Sequence, residues 1–392
     1  MVSDIVIIGG GLTAAKTIET LRADGVNDPI TLIGDELQGP YERPQLSKQM
    51  LNGEDFGALH DQSWYADNSV RLLLGIPAVS IDRDLRTVTL ADDSWVGYDQ
   101  LLIATGASAR VLDLPGAERA LTLRSVADAE ALRATFAAGK RLVIIGGGWI
   151  GLEVAAAARG AEMEVDVLEA GALPLGSVLG QRLARHLVAL HAAHGVRVHT
   201  EVTVEGIDNE FVRTSAGSLA ADVVLVAVGA VPNTAIAEAA GLEVAPPSSG
   251  GGIVVNHHLL TADPAVLAAG DAAYAEHMSL GGLRVEHWDN AMRQGELAAR
   301  SLQKKPDSYD WAPYFYTDQF EFSMEYVGHS SPDDTVEVRG DLAGNEFIAY
   351  WLNTDGVLTA AMNVGIWDVN DQLRAMIGSS PDPGSLTVLT AD

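Results

Sequence analysis

The sequence predicts an α/β chain of more than one domain that closes with a C-terminal α+β domain built on an antiparallel sheet, and three observations carry that expectation. Two glycine-rich turns, VIIGGGLTAA at Val6–Ala15 and VIIGGGWIGLE at Val143–Glu153, each follow a short run of β-branched residues. About 20 residues past each turn a second apolar strand ends in acid, Asp35 and Glu36 after PITLIG and Glu169 after MEVDVL. Beyond Tyr309 the rhythm changes to short alternating segments, TVEVRG, EFIAYWL and GVLTAAMNVG, the pattern of an antiparallel sheet.

Each element of the two turns has a physical reason. The first glycine, Gly9 or Gly146, permits the tight strand-to-helix turn, and the second, Gly11 or Gly148, lets the backbone approach a pyrophosphate. The third small residue, Ala14 or Gly151, allows the helix to pack close to the strand. One such fingerprint is weak; two in one chain, each with an acid placed to accept from an adenosine ribose, imply two Rossmann-like dinucleotide-binding domains. The chemistry to expect is a flavin enzyme that also binds a nicotinamide nucleotide. Glu169 favours NADH over NADPH, because a 2′-phosphate would meet a like charge and the following AGALPLG has no Arg or Lys to neutralise it.

Composition narrows the class. With 392 residues the chain exceeds one compact core and suits two or three domains. A hydrophobic fraction of 47% with 40 glycines fits an α/β enzyme, since glycine collects at strand-to-helix turns. No apolar run reaches the length of a membrane span, and MVSDIVIIGG has no basic n-region, so the expectation is a cytoplasmic protein without a signal peptide. Cysteine is absent altogether. That excludes the disulfide chemistry of flavin disulfide reductases and the reactive thiol of flavin peroxidases; electrons have to leave for an external acceptor. A net charge of −28, from 53 acids against 25 bases, argues against nucleic acid or an anionic membrane as partner.

Along the chain, residues 1–107 and 231–305 are expected to form one discontinuous nucleotide-binding domain and 108–230 a second inserted into it. LLIATGA and VLVAVGA would close the two units, and VLAAGDAA would return the chain to the first, with Asp271 at its tip. Helices are expected from Ser125, through Glu153, around Gln181–His194 and from near Asp289. KKPDSY, at Lys304–Tyr309, reads as a linker into a C-terminal domain at 306–392.

The ordered segments GGGLTA, YERPQLSK, LLIATG, VIIGGGWIGLE, DVVLVAVGAVPN, VLAAGDAA, VEHWDNAMRQG and FYTDQF carry a resemblance over essentially the whole chain. The chain resembles the FAD-dependent NADH:ferredoxin reductases of bacterial oxygenase systems, which have a glutathione-reductase-like fold. The resemblance implies non-covalent FAD at Gly9, Gly11, Thr13, Ala14, Asp35, Arg43, Lys48, Val79, Arg124, Asp271 and Trp288. It implies NADH at Gly146, Gly148, Ile150, Gly151, Glu169 and Gly229, and no metal. Lys48 would lie beside the isoalloxazine and pair with Glu153, Asp271 would bind a ribityl hydroxyl, and Trp288 would border the nicotinamide pocket. These three positions, Lys48, Glu153 and Trp288, are the expected catalytic ones. The residues alone leave a plainer reading of each open: Lys48 as a solvated loop cation, Glu153 as a first-turn acid favoured by the helix dipole, Asp271 as a helix cap, and Trp288 as a core side chain. One departure from the family is the lack of a basic residue after Glu169, which supports NADH but weakens the expected hold on its pyrophosphate.

The expected reaction is hydride transfer from NADH to FAD and single-electron delivery to a [2Fe-2S] ferredoxin that serves an oxygenase, either a cytochrome P450 or a ring-hydroxylating dioxygenase. The protein is expected to be a monomer or weak homodimer. Because such ferredoxins are commonly acidic, Arg284, Arg293, Arg300, Lys304 and Lys305 are the candidates for a basic docking patch. The motifs also leave room for an NADH-dependent rubredoxin or quinone reductase, or for an NADH-binding signalling flavoprotein with slow turnover.

Overall fold

A computed structural model describes residues 4–305 and 307–389; Pro306 of the expected linker lies outside them. The chain divides into two compact units, Met1–Arg43 with Gly57–Ser108 and Ala230–Trp311, and Pro44–Phe56 with Ala109–Gly229 and Ala312–Asp392.

The first unit is organised by a five-stranded parallel sheet in the order Val266–Ala268, Gln100–Ile103, Ile5–Ile8, Ile30–Gly34, Val70–Leu74. Ile5 pairs with both Ile30 and Gln100, and all four residues of the central strand are buried. A parallel sheet needs cover on both faces, which is why its strands are near-continuous apolar runs rather than alternating ones. Helix Leu12–Ala23 leaves the first glycine turn, and helix Trp288–Leu302 packs against it. The approach is close: a Cβ on Gly295 would come within 2.6 Å of the Thr13 carbonyl oxygen and 2.8 Å of Lys16 Cβ. The Thr17 hydroxyl reaches the Thr13 oxygen at 2.9 Å and the Gly295 oxygen at 3.0 Å. The unit also holds a small antiparallel sheet, Ala78–Asp82, Thr87–Leu90 and Trp95–Gly97, and a small mixed one in which Ala273–His277 pairs parallel with Ile253–Val255 and antiparallel with Gly281–Leu283.

The second unit repeats the parallel plan in four strands, ordered Val196–His199, Glu164–Leu168, Arg141–Ile145, Val223–Val226. Helix Val126–Arg133 begins at Ser125, whose side chain and that of Asp128 close a capping box. Helix Trp149–Gly160 leaves the second glycine turn, and helix Gly176–Ala193 follows the strand that ends before Glu169. The C-terminal portion is a five-stranded antiparallel sheet, ordered Tyr314–Gln319, Phe322–Gly328, Leu358–Val364, Glu346–Leu352, Thr335–Asp341, backed by helix Asn370–Met376. Three of these strands contain the alternating segments noted in the sequence; the first two form a hairpin turned at Phe320, whose φ is +55°. Among the described residues no helix is long and apolar enough to cross a membrane.

The contact at Gly295 generates a test. Alanine is normally the better helix former, but here its methyl group meets backbone, so Gly295→Ala is expected to destabilise the FAD-loaded protein by about 2 kcal/mol. Thermal unfolding reads the outcome; a raised Tm would contradict the close helix pairing.

Candidate functional site

In the first unit the glycine turn is shaped by one steric demand. Gly9 has φ +119°, and a Cβ there would sit 2.0 Å from the Ala104 carbonyl oxygen. Gly11 is the N-cap of helix Leu12–Ala23 and has no atom within 4 Å of a would-be Cβ, and no side chain caps the helix. The result is an open cradle in front of uncapped backbone N–H groups, the donor set a pyrophosphate requires. Ala14 and Thr13 are buried behind it.

Two carboxylates follow strands of the same parallel sheet. At the end of Ile30–Gly34, Asp35 is exposed, and among the described residues its carboxylate accepts only the Glu36 N–H, at 3.1 Å. Glu36 is committed elsewhere, to Arg43 Nη2 at 3.0 Å and the Tyr41 hydroxyl at 2.7 Å. Asp35 is therefore the less committed of the two acids. Asp271 follows strand Val266–Ala268 in a tight turn fixed by the Gly270 N–H donating to Gln294 Oε1 at 2.8 Å. Gly270 faces Thr13: a Cβ on it would lie 2.5 Å from the Thr13 hydroxyl oxygen. Burial alone would lower the Arg43 guanidinium, but Tyr41, Glu36 and Asp271 outweigh it and hold the group above its ordinary value. Trp288 opens helix Trp288–Leu302 and is half-buried, while Val79 is 53% exposed on its edge sheet.

In the second unit Gly146, with φ +108°, would place a Cβ 2.4 Å from the Ala227 oxygen, and one on Gly151 would reach the Gly146 oxygen at 2.2 Å. Gly148 caps helix Trp149–Gly160 without side-chain help, Ile150 is exposed, and Gly229 opens onto free space. Glu169 is clamped above this turn: Oε2 accepts the Gly147 N–H at 3.1 Å and Oε1 the Gly171 N–H at 2.7 Å. A fixed carboxylate at the strand tip suits a ribose diol and repels a phosphate. Arg124 immediately precedes the Ser125 cap, its N–H donating to Asp128 at 2.9 Å. Arg124 and Lys48 belong to the second unit; the other residues expected around FAD belong to the first.

The second unit also holds a buried ionic cluster. Lys48 Nζ lies 2.6 Å from Glu153 Oε1, with side chains 16% and 9% exposed. The Ser47 hydroxyl donates to Glu153 Oε2 at 2.5 Å and the Thr317 hydroxyl to Oε1 at 2.6 Å. Asp318 stands 3.7 Å from the ammonium, which also lies 5.4 Å from the centre of the Tyr316 ring. Neither plain reading fits: Lys48 is no solvated cation, and Glu153 does more than face a helix dipole. Sequence reasoning missed Ser47, Thr317 and Asp318, although all three lie in motifs already singled out, RPQLSK and FYTDQF.

The basic patch is weaker than its composition suggests. Arg284 is paired with Glu286, Arg293 with Asp289 at 3.0 Å, Arg300 with Asp307 at 3.2 Å and Lys305 with Asp24 at 2.8 Å. Four of the five expected docking cations are thus already neutralised.

Two pyrophosphate cradles in one chain, each with an acid at the neighbouring strand tip, define an oxidoreductase of the two-dinucleotide class. Residues 3–295 match the family model for pyridine nucleotide-disulphide oxidoreductases, and residues 314–386 match a reductase C-terminal domain. The chain is 36% identical over 394 residues to the anthranilate 1,2-dioxygenase system ferredoxin–NAD(+) reductase component of Burkholderia cepacia, covering 97% of this chain and 96% of that one. It is 35% identical over 372 residues to putidaredoxin reductase of Pseudomonas putida, covering 91% and 87%. The structure of the covalent putidaredoxin reductase–putidaredoxin complex superposes with a TM-score of 0.91 at 34% identity, over 96% of this chain and 93% of that one. The chain belongs to the pyridine nucleotide-disulphide oxidoreductase family and, within it, to the ferredoxin–NAD(+) reductases.

The ion pair is open to a direct test. Lys48→Met leaves Glu153 buried without its cation and is expected to cost about 3 kcal/mol, whereas Lys48→Met with Glu153→Leu recovers most of that loss. Chemical unfolding of the four members of the cycle measures it; additive losses would contradict a coupled buried pair.

Proposed function

We propose that this protein is an FAD-dependent NADH:ferredoxin oxidoreductase that supplies a [2Fe-2S] ferredoxin serving an oxygenase. The observation that carries the reading is a pair of dinucleotide cradles, one per compact unit, in a chain with no cysteine. Two electrons taken from a nicotinamide have no protein disulfide to rest on, so they pass to a separate acceptor. Relatives named as ferredoxin–NAD(+) reductases, and a structural neighbour solved with putidaredoxin, support a ferredoxin in that role. Nothing in those relatives favours the rubredoxin, quinone or signalling readings.

In this proposal residues 1–107 and 231–305 form the FAD-binding domain, 108–230 the NADH-binding domain and 306–392 the C-terminal domain. The backbone at Gly9 and Gly11 binds the FAD pyrophosphate, with Thr13 and Ala14 behind it. Asp35 accepts from the adenosine ribose, and Asp271 from a ribityl hydroxyl. The N-terminus of helix Trp288–Leu302 offers its positive dipole end to negative charge, while Arg43, Val79 and Arg124 complete the contacts. Gly146, Gly148, Ile150, Gly151 and Gly229 take the NADH pyrophosphate and its surroundings, and Glu169 the ribose. FAD, when bound, accepts a hydride equivalent and releases electrons singly, which is what an iron–sulfur acceptor needs. Lys48 and Glu153 contribute a fixed, desolvated pair that keeps water out of the hydride-transfer step and holds its field constant. No general base is required. The protein works in the cytoplasm as a monomer or weak homodimer.

Cytochrome c reduction by the FAD-loaded protein, with and without a [2Fe-2S] ferredoxin, tests the reading. Strong stimulation by ferredoxin with NADH well ahead of NADPH is expected, and Glu169→Ala should narrow the NADH preference by roughly tenfold. Rapid reduction by NADH with no ferredoxin dependence would overturn the assigned acceptor, and an unchanged preference in Glu169→Ala would overturn the role of that carboxylate.

A further inference from the structure

The motif FYTDQF, Phe315–Phe320, does more than supply Thr317 to Glu153. Gln319 lies two residues further along the same strand, hence on the same face. Its Nε2 is 3.2 Å from Thr317 Oγ1, and its Oε1 is 2.9 Å from Nε2 of His191 on helix Gly176–Ala193. Thr317 and Gln319 are 1% exposed and His191 is fully buried. An unbroken line of polar groups, all in the second unit, therefore runs from an imidazole to the Glu153 carboxylate.

Counting donors fixes the direction of this line. An ionised carboxylate only accepts, so the single Thr317 hydroxyl proton goes to Glu153. The Thr317 oxygen then faces the amide NH2 of Gln319, which turns the amide oxygen to His191. His191 must present Nε2–H to it. With the opposite tautomer the amide would turn over, Thr317 would donate to the amide oxygen, and Glu153 would lose a donor. The surroundings of the ring favour the first arrangement: Nδ1 is buried without a hydrogen-bond partner among the described residues, and an N–H there would be a donor with no acceptor. Burial pushes the imidazole below its ordinary value, against a smaller opposing effect of Gln319, so the ring is neutral near pH 7.

The ring is also held in place. It meets Phe320 edge-on at 5.1 Å, while His194, one turn along the helix, stacks on the same phenyl ring at 3.9 Å and binds Glu321 at 2.7 Å. His194, Glu321, Asp318, Lys48 and Glu153 are the charged or titratable groups around the line.

We propose that His191 is a positioning residue for the reductase: acting through Gln319 and Thr317, it keeps the Glu153 carboxylate aimed at Lys48. The proposal rests on the reading that the Lys48–Glu153 pair serves hydride transfer from NADH. Without the His191 donor the Gln319 amide is free to turn over, so Thr317 is no longer held with its hydroxyl on Glu153 and the carboxylate loses its fixed aim.

The test uses the FAD-loaded protein with His191→Leu, Gln319→Leu and His191→Gln, the last keeping a donor near the position of Nε2. Nitrogen-15 histidine NMR of the wild type is expected to show His191 as the neutral Nε2–H tautomer, not titrating near neutral pH. The rate of flavin bleaching by NADH is expected to fall by roughly tenfold in both leucine variants and to return in His191→Gln. An Nδ1–H or charged His191 in the wild type, or one bleaching rate shared by all variants, would overturn the proposal. Should the leucine variants fail to fold, the wild-type tautomer and the His191→Gln rate still decide it. Absence of bleaching in the wild type would instead overturn the reductase reading, and the tautomer signal would then judge the hydrogen-bonded line separately.

Discussion

A carboxylate withdrawn from water has to be matched by donors, and Glu153 sets that requirement for much of the second unit. Its partners come from two distant places in the chain: Ser47 and Lys48 from the RPQLSK segment, and Thr317 from the first strand of the C-terminal sheet. An uncompensated charge at this depth would cost several kcal/mol. This explains why residues 44–56 and 312–392 group with the second nucleotide fold in one compact unit. The same demand fixes the lysine, since Glu153, Asp318 and the Tyr316 ring leave its ammonium little freedom.

The second constraint is steric and acts twice. Each cradle depends on backbone passing where a side chain cannot fit, at Gly9 against Ala104 and at Gly146 against Ala227. Close approach brings the uncapped helix N-terminus over the strand ends and leaves its N–H groups facing outward. The acids at Asp35, Asp271 and Glu169 need no special device, because a parallel sheet delivers the ends of its strands to one edge.

These local features were legible in the sequence. Glycine spacing, β-branched runs and strand-end acids all lie within short windows, so the turns, the parallel strands and Glu169 could be read directly. The strands Thr335–Asp341, Glu346–Leu352 and Leu358–Val364 showed their alternation in the same way. What stayed hidden is non-local. Glu153 meets Thr317 across 164 residues and His191 meets Gln319 across 128, and no periodicity encodes such pairings. The resemblance had named Asp35 rather than Glu36, but the pairing of Glu36 with Tyr41 and Arg43 could not be read from the sequence. The expected docking cations show the same limit: counting cations along a helix ignores the acids that the fold brings beside them, and Asp289, Asp307 and Asp24 do so here.

The central claim is that this chain carries electrons on its flavin alone, without a protein disulfide, and an anaerobic NADH titration of the FAD-loaded protein measures that directly. Complete bleaching of the flavin at one NADH per FAD, with no further uptake, is the predicted result. Consumption of a second equivalent per FAD, or no bleaching at all, would contradict the account.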